Sequence, residues 1–137
     1  MRILYHLWLS PFCRKVRIVL AEKQADFSMK VEQVWERRRE FLALNPACDV
    51  PVLVEADGTV LSYSAAICEY LEETLPSPNL IGHTVQDRAE VRRLVAWFDQ
   101  KCNAEVTDRL VSEKIMKQFL GLGQPDSRLI RAALADL

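Results

Sequence analysis

Strand-like and helix-like patterns alternate over residues 3–75 in the order β-α-β-α-β-β-α. That order predicts an α/β unit built on a four-stranded mixed sheet. Residues 3–7 are β-rich and stop at the turn signal Ser10-Pro11. Proline suits a first helical position, where an N–H would have no partner anyway. Val16, Val19 and Leu20 then share one face of a helix, and residues 27–34 alternate as a second strand. A short helix is predicted over 36–44, ended by Asn45-Pro46. Residues 51–54 and 59–61 read as strands joined by an Ala56-Asp57-Gly58 turn. Ser64 is placed to cap the next helix, whose stripe is Ile67, Leu71 and Leu75.

The pattern changes after PSPN at residues 76–79, which reads as a linker. Residues 84–120 carry no strand signal. Thr84 through Asp87 resembles a capping box, and Val91, Leu94, Val95, Phe98, Cys102 and Val106 form a helical face behind it. Gly121 and Gly123 end that helix, and Asp126 can cap another whose seam is Leu129, Ile130, Ala133, Leu134 and Leu137. The expected organisation is an α/β domain over 1–76, a linker over 77–84 and a partial all-helical domain over 85–137. The last seam needs something to pack against, so a C-terminally truncated chain or a partner chain is expected.

The 18 basic and 19 acidic residues nearly cancel, which removes the electrostatic case for nucleic acid or an anionic membrane. No run approaches the ~18 apolar residues of a membrane span. No signal-peptide pattern opens the chain, so a cytoplasmic protein is expected. The four cysteines, Cys13, Cys48, Cys68 and Cys102, show neither CxxC nor metal-ligand spacing. They read as reduced, mostly packed thiols, with no metal site.

Two stretches, ILYHLWLSPFCRKVRIVLAEK and LNPACDVPVLVEADGTVLSYSAAICEYLEE, resemble the glutathione transferase superfamily, most of all its serine- and cysteine-type branches, zeta and omega, and their bacterial relatives. The resemblance is dense over residues 1–75 and holds for 84–137 only as helices in the right place. It implies a thioredoxin-like N-terminal domain, the first helices of an all-α C-terminal domain, and a homodimer. It also implies glutathione as co-substrate, attacking a small electrophile or supporting an isomerisation. Ser10 matches the catalytic serine or cysteine of the family. Val50-Pro51 matches a valine–proline pair with a cis peptide, whose valine backbone pairs with the cysteinyl part of glutathione. Ser64 matches a serine that takes the γ-glutamyl carboxylate. Tyr63 falls where relatives place Glu, Gln or Asp against the γ-glutamyl amine, and it brings no full negative charge. Asp49 falls where relatives carry lysine or glutamine facing the glycyl carboxylate, which it would repel.

A thiol attacks only as thiolate, and near a pKa of ~8.5 only a few per cent is ionised at neutral pH. Lowering that value by about two units takes roughly 2.7 kcal/mol. A helix N-terminus supplies up to ~2 kcal/mol, and one hydrogen bond to a charged group adds roughly 1.5–3. A serine at the mouth of the first helix therefore suits a reaction in which glutathione is the nucleophile and the protein steadies its anion. Read locally, Ser10-Pro11 is also a plain cap with no chemistry. Two rivals stand beside the transferase reading: a non-catalytic interaction module with the same fold, and a redox enzyme using Cys13. Cys13 has no dithiol partner, because Ser10 occupies the partner position. His6 and His83 read as structural or exposed, the ERRRE run at 36–40 as a solvated helix face, and Trp8, Trp35 and Trp97 as core or interface aromatics.

Overall fold

The β-rich opening forms β1 (Arg2–His6), and the Ser-Pro signal starts α1 (Pro11–Glu22). Next come β2 (Phe27–Val31), a 3₁₀ turn over Val34–Glu36, α2 (Arg39–Leu44), β3 (Val52–Val54), β4 (Val60–Ser62) and α3 (Ser64–Thr74). The computed structural model describes residues 1–137, which divide into two compact units, Met1–Ile81 and Gly82–Leu137.

In the first unit the sheet order is β2-β1-β3-β4. β1 and β2 are parallel, joined by the α1 crossover, while β3 runs antiparallel to both β1 and β4. This is the mixed four-stranded, thioredoxin-like sheet that the family resemblance implies. Leu4, Val16, Leu20, Leu53, Ile67 and Leu71 are fully buried together, so the stripes of α1 and α3 share one face of the sheet. Phe41, Cys48 and Val52 centre a second cluster with Tyr5 and Val34. Each fully buried Leu or Ile contributes about 1.5–3 kcal/mol relative to exposure. None of the three tryptophans lies in a core: Trp8, Trp35 and Trp97 are all exposed.

The region around α2 departs from the sequence expectation. The second strand stops at Val31, because Glu32 turns inward and is buried. Its carboxylate takes a two-pronged ion pair from Arg38. Arg37 adopts a left-handed φ of 48°, and α2 begins only at Arg39. The ERRRE run is thus a turn folded around a buried acid, and not a solvated helix face.

A second buried charge closes the unit. The Lys23 ammonium, at the C-terminal end of α1, has no exposed side-chain surface. It pairs with Glu72 at 2.7 Å and donates to the carbonyls of Leu75 (2.6 Å) and Pro78 (2.9 Å). An ammonium has three protons, and three oxygens meet it. The Glu72 carboxylate also accepts from the Leu80 amide at 3.2 Å. The pair therefore ties α1, α3 and the segment behind α3 together.

In the second unit, Thr84 and Asp87 form the expected reciprocal capping box on α4 (Val85–Trp97). The backbone then stays right-handed helical through Phe119, but with i→i−5 turns over Phe98–Thr107 and Ser112–Met116. Between and after them lie short α-helical pieces, α5 (Asp108–Val111) and α6 (Lys117–Phe119). A wider turn rotates each later side chain off the 3.6-residue stripe. Of the face expected from the sequence, Val106, inside the wider turns, is buried, while Leu94, in α4 before them, and Phe98, at their start, are exposed. Asp126 caps α7 (Ser127–Ala135) as expected. Along its seam Ala133 is buried, whereas Leu129, Leu134 and Leu137 are exposed. Buried Glu113 seats this cap by accepting from the Asp126 amide (2.6 Å) and Lys117 (2.7 Å). No helix is long and apolar enough to cross a membrane.

Two outcomes follow. Replacing Lys23 with Met leaves Glu72 buried without its cation and should cost about 3–5 kcal/mol in urea unfolding; a loss near zero would contradict the tie. The hydrogen bonds from Arg128 hold the Asp126 carboxyl down to about 2. A carboxyl depressed in the folded state stabilises above its ordinary range, and that contribution disappears as pH falls toward the folded value. The amides of α7 should therefore lose exchange protection on acidification toward pH 2, and Asp126→Asn should reduce that dependence, the remainder belonging to Glu113, whose carboxylate accepts the Asp126 amide.

Candidate functional site

Strand register brings the predicted site residues to one end of the sheet. Tyr5 near the end of β1 pairs with Val52 at the start of β3, and Val52 pairs with Ser62 at the end of β4. The chain leaves β1 toward Ser10, enters β3 through Val50-Pro51, and leaves β4 into Tyr63 and Ser64. All three connections lie beside the Tyr5–Val52–Ser62 row.

Ser10 is the N-cap of α1, half-buried, with an extended backbone (φ −70°, ψ 122°). Its Oγ accepts from the Cys13 amide at 3.2 Å and so satisfies one of the free N–H groups of the helix start. A hydroxyl that accepts there keeps its own proton to donate. Cys13 lies fully buried below, its Sγ receiving the Leu7 amide at 3.5 Å. Burial pushes the Cys13 thiol up; the Ser10 hydrogen bond, the Leu7 amide and Arg17 pull it down less, and the Asp49 charge adds to the rise. A buried, protonated thiol gives no support to redox chemistry at Cys13.

The Val50–Pro51 peptide is cis, with Pro51 fully buried and Val50 half-buried. Asn45, itself buried, shapes the approach to this pair. Its Nδ2 donates to the Asp49 carbonyl (3.1 Å) and to Asp49 Oδ1 (2.5 Å), while its Oδ1 accepts from the Ala47 amide (3.2 Å). The exposed Asp49 carboxylate is thereby held one residue before the Val50-Pro51 pair.

The start of α3 needs a correction. Ser64 is not the cap but the first helical residue, and it is buried. The cap position belongs to Tyr63, which is 61% exposed and makes no capping hydrogen bond with its side chain. Its φ of 74° with ψ of 119° lies where a non-glycine residue is strained. Serine next to the strand looked like a cap by composition, and the left-handed backbone of a tyrosine has no sequence signal. The helix start thus presents amides that the side chain at its own cap position leaves unanswered, an arrangement suited to an anion.

Sequence reasoning singled out neither Arg17 nor Asn45. Arg17 donates to the carbonyls of Leu7 (3.3 Å) and Trp8 (3.4 Å), which lead into Ser10. Of the arginines of ERRRE, Arg38 is engaged by Glu32, and Arg37 and Arg39 are exposed.

Residues 9–74 match the glutathione S-transferase N-terminal domain family. FtsZ-localized protein A of Caulobacter vibrioides is 41% identical over 133 residues, covering 95% of this chain and 58% of that protein. The maleylacetoacetate isomerase of Rattus norvegicus is 38% identical over 97 residues, covering 67% of this chain and 44% of that protein. The crystal structure of a glutathione S-transferase from Rhodospirillum rubrum F11 superposes with a TM-score of 0.97 at 57% identity, covering 99% of this chain and 61% of that one. The chain thus spans less than two thirds of the length of these relatives.

The buried Cys13 thiol should react with iodoacetamide at least about tenfold more slowly than a free thiol, because only an accessible thiolate is alkylated. Peptide mapping of the native protein, compared with the same peptide in urea, measures this; equal rates would contradict the described burial.

Proposed function

The chain belongs to the glutathione S-transferase superfamily, and from that premise we propose that its first unit binds glutathione and stabilises its thiolate for attack on a small electrophile or for a glutathione-dependent isomerisation. The observation that carries this reading is the gathering of three dissimilar features beside one row of the sheet. They are a hydroxyl at the mouth of α1, a cis-proline entry to β3, and the uncapped start of α3.

In this reading the Ser10 hydroxyl donates to the glutathione sulfur while the positive end of the 12-residue α1 adds its field. The Val50 backbone pairs with the cysteinyl peptide groups. The α-carboxylate of the γ-glutamyl end sits against Ser64 and the first amides of α3. Pro51 fixes the course of the chain there, and the Tyr63 phenol lies at the γ-glutamyl amine. Glutathione supplies the sulfur nucleophile; the protein's own groups orient it and hold its charge. The reaction needs no metal. A homodimer in the cytoplasm fits this reading, with exposed Trp97 and Phe98 of the second unit available for a partner.

One observation favours a second reading, a non-catalytic interaction module. Asp49 keeps a fixed negative charge near the expected place of the glycyl carboxylate. A relative 41% identical over 95% of this chain is named for localisation with FtsZ, not for catalysis.

Saturating glutathione, at about 100 times its Kd, should stabilise the protein by about 2.7 kcal/mol. Ser10→Ala should lower the conjugation rate roughly ten- to a hundredfold, the loss of one hydrogen bond to an anion. Thermal shift and a conjugation assay read these. No shift with glutathione would leave the interaction module standing, and a Ser10→Ala variant of full activity would remove Ser10 from the chemistry.

A further inference from the structure

We propose that Arg17 is the positioning residue for Ser10, and that a neutral His6 is the base against which Arg17 is set. The proposal rests on the reading of Ser10 as the group that faces the thiolate, and it concerns what holds that group in place.

His6 ends β1 and is fully buried, yet its Nε2 has no protein hydrogen-bond partner. Its Nδ1 lies 3.0 Å from an Arg17 guanidinium nitrogen. A guanidinium only donates, so Nδ1 must accept and the ring must carry its proton on Nε2. The same guanidinium reaches the Leu7 and Trp8 carbonyls. It also lies 5.1 Å above the Trp8 ring, which in turn meets the His6 ring edge to face at 4.6 Å. Arg17 sits in α1, so these bonds pin the β1–α1 connection back onto the helix it introduces. Ser10 hangs from that pinned segment, and its amide donates to the Leu7 carbonyl at 3.4 Å.

The arrangement tolerates one protonation state. A second proton on His6 would set an N–H against the Arg17 N–H and a positive charge against another at 3.0 Å. Burial, then Arg17, lower the pKa of His6, with the Leu7 backbone opposing. No neighbouring element compensates. α1 brings Arg17 and the protonated Cys13. β3 (Val52–Val54) brings only apolar side chains. Glu32, whose amide bonds the His6 carbonyl, has its carboxylate taken by Arg38, and Asp49 is held by Asn45. An unfolded histidine takes up its proton at the ordinary pKa while the folded one resists. The hold on the Ser10 turn therefore weakens as pH falls below the ordinary histidine range and is full above it.

Hydrogen exchange tests this without glutathione, so its failure is distinguishable from failure of the transferase reading. The Cys13 amide bonds Ser10 Oγ and the Arg14 amide bonds the Ser10 carbonyl at 3.0 Å. Both report directly where Ser10 sits. Arg17→Met should speed their exchange about tenfold or more, as expected for loss of one or two hydrogen bonds. The amides of Val16 to Leu20 should keep their rates. Arg17→Lys, which retains charge but lacks the fork, should recover only part of the protection and keeps the test open if Arg17→Met folds poorly. In the unaltered protein the Cys13 and Arg14 protection should fall in step with the His6 imidazole shift on acidification, from an Nε2–H tautomer. Unchanged Cys13 exchange in both variants, a uniform loss along α1, or an Nδ1–H tautomer of His6 would overturn the proposal.

Discussion

The first amides of a helix find no acceptor within it, and in α1 that constraint organises everything around the candidate site. Pro11 removes one donor, Ser10 Oγ answers the Cys13 amide, and Cys13 Sγ in turn takes the Leu7 amide. The cap is thus a small circuit that joins the helix start to the strand before it. A side chain that is fixed because it caps cannot wander. The same bond that stabilises α1 gives the Ser10 hydroxyl a defined direction, and any chemistry at that oxygen inherits the precision of the cap.

Around this circuit the first unit places charges with little freedom. Glu32 meets Arg38, Asp49 meets Asn45, and Arg17 lies between a neutral imidazole and two carbonyls. Arg17 holds the connection from β1 into α1, Asn45 holds the approach to β3, and Arg38 holds the turn before α2. The strained backbone at Tyr63 belongs to the same pattern, because it turns the chain from β4 into α3 with the helix amides facing the site end. Rigidity here comes from polar groups paired with one another, His6 Nε2 excepted, which suits a site that must hold geometry better than about 1 Å.

What the sequence disclosed was local. Ser10-Pro11, the Thr84–Asp87 box and the Asp126 cap are written within four residues, and each stands where the pattern puts it. The succession of strands and helices followed from the local patterns, and the thioredoxin-like sheet and the Val50–Pro51 geometry from family resemblance. Pairings between distant positions were not legible. Lys23 and Glu72 stand 49 positions apart, and nothing in either neighbourhood marks a buried ion pair. Arg17 sits among Arg14 and Lys15 on α1, and nothing in the local pattern sets it apart from them. The helix expected over 36–44 lost its first turn because Glu32 captured Arg38, a competition that periodicity cannot register. Beyond Phe98 wider turns shift the phase of the later side chains, which a 3.6-residue stripe does not register.

The sealed ammonium of Lys23 has a practical consequence. Amine-directed reagents and acetylating agents need an unprotonated, reachable nitrogen, and this one is enclosed by two carbonyls and a carboxylate. In the native protein it should be passed over while exposed lysines such as Lys30 and Lys114 are modified. Label on Lys23 would then mark only molecules whose first unit has come apart, which makes that one amine a built-in gauge of opening.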